Sequence, residues 1–195
     1  MNKMDKLDCL FRRISDSIEA GTAFYQIWFT LRGQGKALPE YYNDMNEFRY
    51  VDFFHAINSG TYRLMFIELG CLFDTDPRAA SIRNLKSELV KIGRQDLVSH
   101  IDKQLSPYTD MVKNILTIRS KLIAHKELGA SSEVIHSKYG IKPDMIKDLL
   151  KICCLLINDI HEKLFGKNGV FCAAETERFE NATFKLLSVL RKGRS

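Results

Sequence analysis

Hydrophobic residues recur along the chain at the spacing of amphipathic helices. Between Leu7 and Leu31 the apolar positions lie mostly three or four residues apart, which predicts one long helix that ends at Gly33. A loop through Pro39 and the pair Tyr41 and Tyr42 is expected next. A second helix, from about Met45 to Phe73, is apolar enough to lie at the centre of the fold.

Proline, glycine and aspartate mark the breaks between the predicted helices. Asp74-Thr75-Asp76-Pro77 should end the second helix, because the residue before proline disfavours helical backbone and aspartate is typical of turns and caps. Ser106-Pro107 is interpreted as the start of a fresh helix, since proline is tolerated in a first turn. The remaining helices are predicted at about 81–92, from about 96, from 107 through 125, at about 143–165 and at about 170–190.

These patterns predict an all-α protein, built as an antiparallel bundle of about five to six helices. No segment shows the alternating apolar pattern and turn dipeptides of strands. A length of 195 residues suits one hydrophobic core, so residues 1–195 are expected to form a single domain. In the helix after Pro107 the apolar stripe Met111, Ile115, Ile118 and Leu122 continues to His125, which places that histidine at the edge of a packed surface.

Composition excludes several classes of protein. The N-terminus is charged, and no segment approaches the roughly 20 apolar residues of a membrane span. The chain is therefore expected to be a cytoplasmic protein that does not bind a membrane. Five cysteines without a C-x-x-C pair suggest neither disulfides nor a zinc knuckle, and the histidines are expected mostly at the surface with no metal-binding spacing. Cys153 and Cys154 fit a helix interior better than thiol catalysis. A net charge of +5 gives mild support to a polyanionic partner.

The most informative stretch places an arginine and a histidine six residues apart around an apolar patch. It reads Ile118-Arg119-Ser120-Lys121-Leu122-Ile123-Ala124-His125-Lys126-Glu127. This resembles the R-x(4–6)-H motif of the HEPN superfamily, α-helical bundles found in prokaryotic toxins, phage defence and RNA processing. On an ideal α-helix the two residues would lie about 120° apart, so they do not share a face. A dimer whose motif helices meet at its axis, or a helix that unwinds near Ala124, would bring them to one site.

A second segment strengthens the resemblance. The helix from Tyr62 ends in Leu72-Phe73-Asp74-Thr75-Asp76, which is similar to the long helix and Leu-Phe-Asp-x-Asp turn of the abortive-infection U-type (AbiU-like) HEPN branch. The two segments also have the expected order and spacing. The resemblance extends roughly from the second helix to the end of the chain.

The resemblance implies a metal-independent endoribonuclease, acting as a toxin or in phage defence, whose site forms where two protomers meet. His125 is expected to act as general acid and base, and Arg119 to hold the phosphate. Lys121, Lys126 and Ser120 are expected to contact RNA, with Ser120 standing where the family more often has asparagine or aspartate. No cofactor or metal is implied. The implied partners are RNA, a second copy of the chain and an antitoxin protein.

Two other functions stay open at this point. The chain could be a HEPN-fold binding module without catalysis that pairs with a nucleotidyltransferase-like antitoxin or another defence protein, which an aromatic, charge-neutral groove would favour. It could also be a structural helical protein, which would be indicated if Arg119 faced solvent while His125 packed in the core. Asp74 and Asp76 could serve a metal or acid–base role, but a turn and cap beside Pro77 explains them better.

Overall fold

The structure is a computed structural model that describes residues 3–32, 37–124, 138–166, 172–173 and 177–193. These residues form helices and connecting turns without a strand, which confirms the all-α prediction. The helices are α1 (Lys3–Leu31), α2 (Leu38–Met45), α3 (Val51–Leu72), α4 (Ile82–Lys91), α5 (Gln95–Leu105), α6 (Thr109–Ile118), α7 (Pro143–Phe165) and α8 (Arg178–Lys192). A 3₁₀ turn, Ser106–Tyr108, joins α5 to α6.

The main core lies between the long helices α1, α3 and α7. α1 packs along α3 and also contacts α7 and α8, while α4, α5 and α6 close the other sides. The stripe predicted for α1 is buried at Leu7, Phe11, Ile14 and Ile18. The stripe of α6 is likewise buried at Met111, Ile115 and Ile118. The helix that directly precedes Arg119 is therefore held in place by the core.

Two predicted boundaries are wrong around α2. The loop expected through Pro39, Tyr41 and Tyr42 is the helix α2, and the next helix begins at Val51 rather than Met45. Pro39 lies in the first turn of α2, where its missing N–H leaves no helical hydrogen bond unmade. Tyr41 is buried against the C-terminal helix α8, so tertiary packing stabilises a helix too short to be stable alone.

Arg191 ties α2 to α8. Its Nε and Nη2 donate to Asp44 Oδ2 at 3.0 and 2.9 Å, its Nη1 donates to Glu40 Oε1 at 3.3 Å, and its guanidinium lies 4.1 Å from the centre of the Tyr41 ring. Arg191, although close to the end of the sequence, is an anchor between two helices. It holds α2 against the bundle.

The last helix begins later than predicted. The sequence pattern placed its start near Val170, which lies outside the described residues, whereas Cys172 and Ala173 are non-helical and α8 starts at Arg178. Asn158 of α7 explains this, because its amide accepts from Cys172 N at 2.9 Å and donates to Cys172 O at 3.0 Å. The side chain satisfies the backbone groups that a helix would otherwise pair.

The remaining boundaries follow the sequence closely. α4 begins behind Ser81, whose hydroxyl accepts from Asn84 N at 3.4 Å as a helix cap. α6 starts anew after the Ser106–Pro107 turn, as predicted. Within the described ranges, none of the helices combines the length and the apolar character needed to cross a membrane.

Candidate functional site

The two motif segments meet where the C-terminal end of α3 lies beside the residues that follow α6. The α-helix ends at Ile118, and from Arg119 to Ala124 the backbone is π-helical. The prediction of one regular helix through His125 is therefore wrong between Arg119 and Ala124. In a π turn each N–H bonds to the carbonyl five residues earlier, and such turns are frequent at functional sites.

Arg119 turns toward α3 rather than into solvent. Its Nη1 donates to Asp74 Oδ2 at 3.1 Å, and the two side chains are 32% and 24% exposed. This contact joins the arginine of R-x5-H to the first aspartate of the Leu-Phe-Asp-x-Asp turn, 45 residues apart in sequence. Among the described residues, Asp74 is the acceptor that pairs with this guanidinium. The contact with Asp74 uses one of the five N–H groups of Arg119.

Gly70 lets the arginine side chain cross the surface of α3. A methyl group in place of the Gly70 hydrogen would overlap Arg119 Cδ and would lie 2.9 Å from Nη1 and 3.1 Å from Nε. Gly70 is buried, so no solvent gap separates it from the guanidinium. A glycine in the interior of a helix costs stability relative to alanine, and here it provides the room for Arg119.

Asp74 is fixed by its own turn as well as by Arg119. Its Oδ1 accepts from Asp76 N at 2.9 Å, and Asp76 in turn binds the backbone N of Arg78 at 2.8 Å. Asn84 of α4 donates to Asp76 O and Ala79 O, both at 2.7 Å, which fastens the turn to the bundle. The turn-and-cap interpretation of the two aspartates agrees with these contacts, and the pairing of Asp74 with Arg119 is an addition that the sequence did not indicate.

The carboxylate of Asp74 is held in its charged form. The hydrogen bond from Asp76 N, and after it the contact with Arg119, lowers the pKa of Asp74 below its ordinary value of 3.8, although partial burial opposes the shift. Asp74 is therefore ionised at neutral pH. It can orient the guanidinium through the whole physiological range.

Acid should weaken this contact in a way that can be measured. Because the folded pKa of Asp74 is depressed, its contribution to stability is complete above the unfolded value of about 3.8 and is lost as the pH falls through the folded pKa. We expect Asp74→Asn to be less stable than the wild type at pH 7 and this difference to shrink toward pH 3. Urea unfolding across this pH range measures it, and a constant difference would contradict the assignment.

Ser120 and Lys121 follow Arg119 on the π segment. Ser120 is exposed and Lys121 is partly buried. His125 and Lys126, the other two predicted site residues, lie outside the described residues. Arg119, Ser120 and Lys121 are thus consecutive residues of the π-helical segment Arg119–Ala124.

The other titratable groups of the described residues are weaker candidates for a catalytic or metal-binding role. Burial raises the pKa of the Cys71 thiol, which lies near Glu68 and Arg119, and burial raises the pKa of Cys153 to about 12, so neither thiol ionises readily. His161, expected at the surface, is buried with its ring 5.5 Å from that of Phe11, and burial lowers its pKa. In the described ranges, no group of three or more His, Cys, Asp or Glu side chains could hold a metal ion.

The comparison with protein families decides the identity of this arrangement. The model of the HEPN AbiU2 family, described as AbiU2, matches residues 4–182. The chain belongs to the AbiU2 family of HEPN proteins. The match covers both segments on which the resemblance was based and confirms it. Searches of the curated proteins and of the solved structures gave no match.

In this AbiU2 protein the family motif is connected to the fold by the Arg119–Asp74 pair. The pair had no signal of its own in the sequence, since carboxylates are common in turns and the partner is 45 residues away. Gly70 did carry a signal. It lies inside an otherwise apolar helix, two residues before that helix ends at Leu72, and a glycine there indicates a close approach of backbone and side chain.

Proposed function

We propose that this AbiU2 protein is a metal-independent endoribonuclease of prokaryotic phage defence, of the abortive-infection type, with a site built on Arg119 and His125. The observation that carries the proposal is the half-buried pairing of Arg119 with Asp74 beside Gly70. Gly70 leaves room for this pair, and the segment that begins at Arg119 is π-helical. A guanidinium fixed in place before substrate binds is suited to hold a phosphate.

The chemistry follows from the residue types. A base takes the proton of a ribose 2′-hydroxyl, the 2′-oxygen attacks the adjacent phosphorus, and the bond from phosphorus to the 5′-oxygen breaks as an acid protonates that oxygen. The products are a 2′,3′-cyclic phosphate end and a 5′-hydroxyl end. Histidine, with an ordinary pKa of about 6.5, serves in either role at neutral pH. The N–H groups of Arg119 that Asp74 does not use stabilise the charge that develops on the phosphate.

A homodimer supplies what one protomer lacks. One imidazole cannot be both the base and the acid of the same displacement, whereas His125 residues of two protomers provide both. The partial exposure of Arg119 and the exposure of Ser120 fit a surface that meets a second copy or RNA. Lys121 and Lys126 then contribute positive charge along the strand.

The test is cleavage of total RNA and of short oligoribonucleotides in EDTA. Wild-type protein should cut RNA and leave cyclic phosphate ends, and His125→Ala, folded by circular dichroism, should not cut. Light scattering measures whether the active species is a dimer. A pure, folded dimer that cuts neither substrate would contradict the proposal, as would cutting that requires a divalent ion.

A second function is favoured by a different surface. Phe53 and Leu186, which are 56% and 58% exposed, border an apolar groove of about 270 Å³ between the C-terminal part of α1, the start of α3 and α8. An exposed apolar groove of this kind suits a protein partner. We therefore keep a non-catalytic HEPN binding module, paired with a nucleotidyltransferase-like antitoxin or another defence protein, as the alternative that an inactive dimer would support.

A further inference from the structure

A pocket of about 320 Å³ lies between α1 and the first turns of α7 and α8. Gln26 of α1 fixes this arrangement, because its Oε1 accepts from Phe179 N at 3.0 Å and from Glu180 N at 3.3 Å. Among the described residues that line the pocket, none belongs to the Arg119–Asp74 pair. The volume is within the range of pockets that hold small organic ligands.

The floor of the pocket includes a buried tyrosine. Tyr25 is 4% exposed, and its ring stacks on that of Phe29 with centroids 5.6 Å apart and planes 10° apart. The Tyr25 hydroxyl has no hydrogen-bond partner among the described residues. Burying a hydroxyl without a partner lowers the stability of a fold, so this group indicates a polar ligand atom in the pocket. Phe29 and the buried Leu150 give the lining an apolar surface beside the hydroxyl.

Charged groups of both signs border the same pocket. The lining includes three carboxylates and two ammonium groups, those of Asp144, Glu177, Glu180, Lys147 and Lys151. Burial raises the pKa of Tyr25, and nearby carboxylates, that of Asp144 first, raise it further. The phenol therefore stays protonated, and the charges that act on it most strongly are negative. A positive group of a ligand is favoured beside Tyr25, and a negative group is favoured beside the lysines.

We propose that this pocket binds a free amino acid with an apolar side chain. The ammonium group of the ligand lies between the carboxylates of Asp144 and Glu180 and donates to the Tyr25 hydroxyl. Its carboxylate pairs with Lys147, and its side chain packs against Phe29. A ligand with a single charge would meet only half of these partners. The inference goes beyond the proposed function and does not depend on RNA cleavage.

Three ligands with the same ring separate the two charges. Calorimetry titrates L-phenylalanine, 2-phenylethylamine, which lacks the carboxylate, and 3-phenylpropionate, which lacks the ammonium group, into full-length wild-type protein. L-leucine is titrated as a second apolar amino acid. We expect both amino acids to bind saturably, and phenylalanine to bind about tenfold or more tighter than either single-charge analogue. Trp28 is the single tryptophan, and its ring lies 6.2 Å from that of Tyr25, so its fluorescence gives a second readout.

Substitutions locate each group of the ligand. Tyr25→Phe should bind phenylalanine about tenfold more weakly, while its free energy of unfolding without ligand stays equal or rises, because the hydroxyl has no partner among the described residues. Lys147→Gln should reduce the preference for phenylalanine over 2-phenylethylamine. Asp144→Asn should reduce the preference over 3-phenylpropionate. The controls, Lys185→Gln and Asp16→Asn, each remove one exposed charge outside the pocket and should leave binding unchanged.

The outcomes distinguish an amino-acid site from the alternatives. Binding of 2-phenylethylamine as tight as that of phenylalanine would identify a site for organic cations and overturn the inference, and equally tight binding of 3-phenylpropionate would overturn it too. No saturable binding of either amino acid, or equal losses in the control variants, would have the same consequence even where the protein cuts RNA. Saturable binding that Tyr25→Phe weakens would support the site even in a protein that cuts nothing.

Discussion

Arg119→Ala is expected to lower the rate of RNA cleavage on the order of 10²- to 10³-fold, because it removes the donors that stabilise charge on the phosphate in the transition state. Arg119→Lys should recover only a small part of this loss. Lysine keeps the charge but not the planar fork, so it cannot pair with Asp74 and hold a phosphate with further N–H groups at the same time. Single-turnover cleavage of one defined oligoribonucleotide measures both variants.

The control is Arg83→Ala on α4. Arg83 is exposed and lies outside the Arg119–Asp74 pair, so its loss removes the same charge from the protein without touching the site. Asp74→Asn belongs in the same series, because Asp74 positions Arg119. Its loss of activity should be smaller than that of Arg119→Ala and should appear in the rate constant rather than in substrate affinity. A folded Arg119→Ala dimer that cuts at the wild-type rate would remove Arg119 from the mechanism.

The sequence predicted the long helices well for a physical reason. α1, α6 and α7 each place apolar side chains at a spacing that only one helix face can satisfy, and those side chains are the buried ones. α2 was missed because eight residues with a proline carry too little periodicity, and its stability comes from Tyr41 and the anchor Arg191. Such packing is non-local, so no window of the sequence contains it.

The site was predictable in part and for a different reason. Arg119 and His125 came from resemblance to a family, whereas the partner Asp74 depends on how α3 and the π segment lie against each other. The sequence left open a helix that unwinds near Ala124 but did not predict a π turn. An α turn and a π turn differ by one residue in each hydrogen-bonded ring, which is too small a difference for a pattern of six residues to reveal.

Gly70 offers the second large effect, since it should control activity without controlling stability. Gly70→Ala places a methyl group where Arg119 Cδ now lies, and the flexible arginine, rather than the backbone, is the group that must move. We expect cleavage to fall on the order of 10²-fold, the cost of misplacing a catalytic group by about an ångström. The free energy of unfolding should change by less than about 1 kcal/mol, because the gain in helix propensity offsets the weakened ion pair.

Gly60→Ala is the matched control on the same helix. A methyl group at Gly60 would meet no atom within 4 Å, so this variant should gain about 0.5–1 kcal/mol of stability and cut RNA at the wild-type rate. Urea unfolding and the cleavage assay measure the two variants side by side. If Gly70 acts through the Arg119–Asp74 pair, Gly70→Ala should cost much less in an Asp74→Asn background than in the wild type. Equal losses in both backgrounds would show that Gly70 serves another contact, and that Arg119 does not depend on Asp74 for its position.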